Sequence, residues 1–562
     1  MYFLNARDPL AGASSLYCGV AAGKPLVAAK LGDRRIAALP TDSNLLATVK
    51  LTSPIILILS VVVTAIVLMI PVVPLGVPGE WTWQRNRVWT DFAAAADRIL
   101  PALIGGAILY GVAVRGGRRI ARAKLLQTCF AYLLLILAAW FWLDRVQQTA
   151  HVEHRETKPY WVLYDPSSAG YFHEAAFQIN STSEFLRGYE DRMKEGEVLH
   201  VGTHPPGLFL LSQACLDVCS WSPTLVSWLN GLEDDRVRRA FRTIESGARF
   251  GPRLKSDELA ALHLLSAISS FAVCLTIIPL AILGRYLFGA TTAWWICCLW
   301  PTLPCLAVFL PKSDLLFPFT CTSVLALSVL ATDRWRLFVL AVPAGIVLWC
   351  GMMLSLAHLP VIVVLAAFVA IRAWQTQGAS LRLGLCVIGT VVVTVCAVSI
   401  LWSSCAGCNI FSVWMMNFTN HAGFYDQFPR TYWKWLLVNP IELAFSVGLP
   451  VFALAVYGMI TAVLRIFRTG TPQARRGTAI AFCLAAGATM DVLWLSGKNQ
   501  GEVARLWCFL TPWLLLSAGL SISDLKDTTT NSASDARTWR TLLLAQIVVA
   551  AVTVSGVSGF SF

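Results

Sequence analysis

Residues 337–371 read LFVLAVPAGIVLWCGMMLSLAHLPVIVVLAAFVAI, with Arg336 immediately before them and Arg372 immediately after. A transmembrane helix needs roughly 20 predominantly apolar residues, and this stretch supplies two such spans, at 336–353 and 357–372. The pattern recurs at 53–75, 98–114, 125–143, 258–284, 290–310, 315–331, 382–402, 440–463, 477–496, 508–523 and 541–560, an expectation of about thirteen spans. Pro and Gly interrupt several of them, which a membrane helix tolerates where neighbours satisfy the freed backbone groups. Composition points the same way. The chain of 562 residues is 56% hydrophobic and 14% charged, with a mean hydropathy of +0.64, where a soluble domain carries about 25% charged residues. Its 22 Trp and 28 Phe suit many water–lipid boundaries. The expected fold class is an all-α polytopic membrane protein with one long extracytoplasmic loop containing amphipathic helices.

A formal net charge of +12 does not make this a nucleic-acid-binding protein. That function needs basic residues gathered on one folded face, whereas here they stand in short tracts between apolar runs, as at Arg115–Arg119 and Arg475-Arg476. Such tracts mark cytoplasmic loops. With the polar segment 1–52 as a cytoplasmic tail, the tracts around Arg118, Arg285, Arg334, Arg372, Arg465 and Arg475 all fall inside. The expected organisation is then N-terminal spans over 53–143, an extracytoplasmic loop over 144–257 and a helical membrane domain over 258–562. The connections around Lys312, 411–439 and 497–505 also fall outside. Residues 233–255 carry six arginines yet are placed outside, because long translocated loops largely escape the charge rule. Within the long loop, 170–188 has helical spacing of Tyr171, Ala175 and Ile179, and 207–222 reads as an amphipathic helix lying along the membrane.

Polar chemistry is concentrated on that outer side. Asp165 precedes Pro166, so it is either the cap of the helix that follows or a general base, with His173 and Glu174 close behind. His204 opens His204-Pro-Pro-Gly207, where two prolines suit a helix entry. Lys312-Ser-Asp314 is a charged pair at a span end, read either as a local ion pair or as an anion site. Lys498, Glu502 and Arg505 form another charged stretch, beside Asn417–Tyr432 and Lys434. Basic residues outside run against the topology signal, so Lys312, Lys434, Lys498 and Arg505 are candidates to hold an anion. Cys405 and Cys408 have spacing that fits a loop disulfide or a metal motif, and a lone pair of this kind reads as two ordinary thiols or a disulfide before it reads as a metal site. Glu233-Asp-Asp235 is followed at once by arginines, and ion pairs are expected there. No metal site is assigned, and no cofactor; a divalent metal is left open. Asn180 and Asn417 begin N-x-Ser/Thr sequons.

The ordered motifs are an outer loop with an early Asp165, Gly170-Tyr171-Phe-His-Glu174-Ala, His204-Pro-Pro-Gly207, Gly284-Arg285-Tyr286-Leu-Phe-Gly and Pro311-Lys312-Ser-Asp314. Over about residues 125–335 this order resembles the GT-C superfamily of membrane glycosyltransferases, near the protein mannosyltransferases and lipid A aminoarabinose transferases. Two spans precede the one that matches the family's first. The resemblance implies inverting transfer of a sugar from a polyprenyl-phosphate donor to an acceptor hydroxyl of a lipid, glycan or protein, outside a bacterial inner membrane. It makes Asp165 the base, with Glu174 and His204 assisting. Tyr171, His173, Lys312, Asp314, Lys498, Glu502 and Arg505 are the candidate substrate contacts. The rival reading is a transporter or flippase of lipid-linked saccharides, which calls for ionisable residues at mid-span and short outer loops.

Overall fold

The computed structural model describes residues 53–70, 75–85, 92–150, 158, 160–166, 168–233, 235–246, 253–466, 474–527 and 532–558; the expected tail 1–52 lies outside them. Within them the chain is an all-α polytopic membrane protein, with ten helices long and apolar enough to cross a bilayer. The other three expected spans are each accounted for. Pro54–Met69 and Cys508–Ser523 are apolar but short. The span expected at 290–310 is not one helix: Ala290–Leu299 ends in a 3-10 turn over Trp300–Thr302, and Pro304–Phe309 starts afresh. Pro301 and Pro304 cause the break, because neither can donate to the preceding turn.

The span expected at 440–463 begins later, at Leu449, after a separate helix Tyr432–Val447. Between them Gly448 takes φ +92°, a conformation that side chains resist. The outer connection expected over 411–439 is helical too, with Ile410–Gln427 capped by the Asn409 side chain on the N–H groups of Phe411 and Ser412. The helical pattern of 170–188 resolves into two short helices, Tyr171–Phe177 and Thr182–Arg187, with a third, Tyr189–Lys194, directly after them. Ser181 caps the second. Cys405 and Cys408 are both free thiols, so the loop disulfide is not formed.

Contacts between connections sort the helix ends into two groups. At one end Gly117 lies against the Trp295 indole, Gly289 against Arg475, and the Tyr286 hydroxyl donates to Asp333 at 2.9 Å. These are the connections that carry the basic tracts. The other end gathers the alternate connections, including residues 165–204, 308–317, 355–360, 417–430 and 493–509 around one cavity. Working back from Lys312 through 290–310 and then Ser256–Phe288 returns the chain to the cavity end at Ser256. Segment 205–255 therefore leaves from and returns to the same end. Helix Gly207–Trp221, apolar but shorter than the ten, packs Leu208, Phe209, Ser212 and Cys215 inward and turns Trp221 out.

The cavity end also carries the only strand pairings among the described residues. Gly76–Val77 pairs antiparallel with Trp81–Thr82 across a turn with Pro78 and Gly79 at its centre, closed by Glu80 N–H on the Val77 carbonyl at 3.0 Å. Proline at the second turn position and glycine (φ +84°) at the third are what a type II turn requires. Gln84–Arg85 then pairs with Val557–Ser558, beyond the helix Ser532–Gly556.

Candidate active site

The cavity has a volume of about 810 Å³, within the range of pockets that enclose small ligands. Eight of the ten residues singled out in the sequence line it: Asp165, Tyr171, His204, Lys312, Asp314, Lys498, Glu502 and Arg505. Asp165 is 6% exposed. Its backbone carbonyl accepts from the N–H groups of Ser168 (3.0 Å) and Ala169 (3.2 Å). The N-cap position of helix Tyr171–Phe177 belongs to Gly170, at φ +78°. Asp165 is thus not the cap of that helix, and the capping alternative falls away.

Two lysines fasten the Asp165 segment to the broken helix. Lys312 Nζ donates to the Ser168 carbonyl, and Lys158 Nζ donates to the carbonyls of Ala307, at 3.2 Å, and Val308. Burial brings the Lys312 ammonium down to about 7, and the neighbouring Arg505 guanidinium adds to the fall against Asp314, Glu502 and Asp165. An anion arriving beside it would favour its charged form. The local Lys312–Asp314 pair read as the alternative is replaced by a wider arrangement. Arg505 Nε stands 4.0 Å from the Asp314 carboxylate, while its Nη2 pairs with Glu502 at 2.8 Å. Burial opposes the Arg505 charge, but the Glu502 and Asp314 carboxylates outweigh it and hold the guanidinium firmly ionised.

Glu502 is placed by backbone geometry, since it takes φ +56° at the N-cap of the short helix Val503–Leu506. Arg430 reaches it from the far side, at 3.5 Å, while donating to the Gln500 carbonyl at 2.8 Å. Lys498 stands 4.0 Å from the Phe418 ring centroid, a cation–π contact. Across the cavity, the His204 carbonyl accepts from the Tyr189 hydroxyl (2.7 Å) and from the Asn417 amide (3.2 Å). Its ring Nδ1 donates to the His200 carbonyl at 3.1 Å and packs edge-on to Tyr171. Burial pushes the His204 imidazole down to about 4, so it is neutral at physiological pH.

His173 and Glu174 are not brought to the cavity. Glu174 pairs with Arg192 at 2.7 Å, and His173 packs against Tyr164 and Phe177. Asn417 is fully buried, with its amide donating to Gly202 and His204, so the sequon there is closed to a glycan in this fold. Glu233 pairs with Arg238 at 3.4 Å as its neighbouring charges imply. Among the described residues no group of three or more His, Cys, Asp or Glu side chains is arranged to hold a metal ion. Sequence reasoning missed Trp81, Trp83 and His421, which also line the cavity. The signal for the first two was a Trp-x-Trp beside a Pro-Gly turn in an outer connection.

No family model matches the chain, and no curated protein does. Among solved structures it is similar to the oligosaccharyltransferase of Archaeoglobus fulgidus in complex with Zn and sulfate, at 15% identity and TM-score 0.37, over 75% of this chain and 53% of that one. It is also similar to the archaeal oligosaccharyltransferase AglB from Archaeoglobus fulgidus in complex with an inhibitory peptide and a dolichol-phosphate. There the identity is 12% and the TM-score 0.40, over 76% of this chain and 56% of that one. This chain spans about half the length of the structures it matches. Likeness at that level assigns no role to any residue of the cavity.

Proposed function

We propose that the protein is a GT-C-type glycosyltransferase that moves a sugar from a polyprenyl-phosphate donor to an acceptor hydroxyl on the extracytoplasmic face, with inversion. The observation that carries this reading is the meeting of a buried carboxylate, Asp165, with the cations Lys312 and Arg505 in one cavity. They come from three segments far apart in sequence. Asp165 accepts the proton of the acceptor hydroxyl as its oxygen bonds to the anomeric carbon. The bond from that carbon to the phosphate oxygen breaks, and the electron pair leaves with the polyprenyl phosphate. Lys312 and Arg505 stand where that negative charge grows, the kind of placed electrostatic stabilisation that contributes most to many enzymes. Glu502 and Asp314 keep the guanidinium oriented. The neutral His204 is suited to hydrogen-bond a substrate hydroxyl rather than to hold charge. The prenyl chain of the donor extends from the cavity into lipid.

The test is purified protein in detergent with a polyprenyl-phosphate sugar labelled in the sugar, and no membrane gradient. Label appearing on a hydroxyl acceptor together with free polyprenyl phosphate is the expected result. Movement of intact lipid-linked sugar across vesicles, with no bond cleaved, would instead make the protein a transporter.

A further inference from the structure

The hairpin 75–85 belongs to the pair of N-terminal segments that precede the family-like region, yet it forms a wall of the cavity through Trp81, Trp83 and Gln84. Besides the strand pairing with Val557–Ser558, one residue clasps it there. The Glu80 carboxylate accepts from the Thr431 N–H (2.9 Å), the Thr431 hydroxyl (2.6 Å), the Trp435 indole N–H (2.7 Å) and Lys434 Nζ (3.4 Å). Burial of Glu80 favours the neutral acid, but these donors outweigh it and hold the carboxyl down at about 2. The wall is therefore fixed in place.

From the hairpin a line of contacts runs to the proposed phosphate site. Trp81 packs on Trp435, with centroids 6.4 Å apart; the Arg430 guanidinium sits over Trp435 at 5.4 Å; Arg430 reaches Glu502, and Glu502 pairs with Arg505. The hairpin, Arg430, Glu502 and Arg505 all line one cavity, so a sugar joined directly to a phosphate held by Arg505 enters the space that the hairpin walls. The chemistry of the wall separates the occupants. A prenyl chain calls for apolar surface, and Phe317, Leu356, Leu359 and Pro360 of the lining supply it. Trp81 is instead interleaved with Gln84, Gln500 and Arg430, a mixed aromatic and hydrogen-bonding surface. A sugar ring matches it, with a C–H face for the indole and a hydroxyl rim for the amides.

We propose that the 75–85 hairpin is the donor-sugar subsite of the cavity, with the half-buried Trp81 indole as the face on which the sugar ring stacks. This inference rests on the glycosyltransferase reading. It is tested by measuring, on the purified full chain, the binding of radiolabelled undecaprenyl phosphate and of its mannosyl, glucosyl and galactosyl esters. Wild type should bind at least one ester more tightly than the bare lipid phosphate. Trp81→Ala should weaken that ester about tenfold while leaving the bare lipid phosphate unchanged, and Trp81→Phe should recover part of the loss. Trp81→Leu keeps bulk against Trp435 without a ring, and carries the same expectation should the alanine variant fail to fold. Equal weakening of both lipids, or none of either, overturns the subsite, as does a rise in acceptor KM with donor binding intact. Sugar transfer by wild type with full transfer by Trp81→Ala refutes the subsite alone. A wild type that neither transfers sugar nor distinguishes ester from bare phosphate refutes the transferase reading and the subsite with it.

Discussion

Replacing Asp165 with asparagine removes a proton acceptor while leaving the turn its backbone hydrogen bonds. The hydrogen bonds that shape this turn go to the Asp165 backbone carbonyl, from Ser168 and Ala169, and asparagine keeps that carbonyl. The side chain keeps its size in a site only 6% exposed. Lys312 loses one of three neighbouring carboxylates and retains Asp314 and Glu502. The cost in stability should then be about 1 kcal/mol, a shift of a few degrees at most in Tm. The cost in rate is of another order. General base catalysis contributes about 10²–10⁴-fold, or about 2.7–5.4 kcal/mol of barrier at roughly 1.36 kcal/mol per tenfold. The assay is the initial rate of transfer from saturating polyprenyl-phosphate sugar, with the Tm of each variant measured in the same detergent. Transfer within about threefold of wild type, less than half a decade against the two to four expected of a base, would remove Asp165 from the chemistry. A collapsed Tm would make it a structural residue.

Arg505→Ala should lower turnover at least about tenfold, since each charge-assisted hydrogen bond lost is worth roughly 1.5–3 kcal/mol; Arg505→Lys should recover only part, because the planar fork is gone. Normal kcat in Arg505→Ala would exclude the residue from the site. If Lys312 acts as a cation with its ammonium at about 7, the protonated fraction falls as pH rises through that value. The profile of kcat/KM should then decline on the alkaline side, and Lys312→Arg should move that limb upward; a flat profile from pH 6 to 9 contradicts the role. Glu80 sits at about 2 against an ordinary 4.5, so its contribution to stability is present above about 4.5 and fades as pH falls towards 2. Glu80→Gln should therefore lower Tm at neutral pH, with the gap narrowing in acid; no gap at pH 7 sinks the clasp. Single cysteines at Ser181 and Ser227 should react with an impermeant maleimide from one side of the membrane, and one at Ala379 from the other. Labelling of Ser227 together with Ala379 would turn helix Gly207–Trp221 into a span.

The architecture was readable because apolar length is a one-dimensional property. Every expected span has a helical counterpart, and the misplacements fall at Pro301, Pro304 and Gly448, where backbone chemistry cuts a run that hydropathy leaves whole. The charged candidates Lys312, Asp314, Glu502 and Arg505 were readable for a related reason: ionisable groups at span ends stand out against an apolar background. What the sequence concealed is partnership. Glu174 stands one helical turn beyond Tyr171, close enough in angle to share its face, and only the arrival of Arg192 from another short helix takes it from the cavity. Nothing in a Pro-Gly turn at 78–79 announces that its neighbour Glu80 will find donors at Thr431 and Trp435. Such pairings are decided by packing across the bundle.

The pairing of Gln84–Arg85 with Val557–Ser558 bears on how the protein is made. During synthesis the N-terminal hairpin emerges early, but its clasp at Thr431 and its strand partner at Val557 follow only after most of the chain has been inserted. Contacts of such sequence separation form late and slowly. The cavity wall therefore closes only after both partners have been inserted, and chains truncated before Ser532 should insert in the membrane with this wall incomplete. Assembly of this wall is set by the arrival of Thr431 and Val557 rather than by the insertion of the residues that line the rest of the cavity.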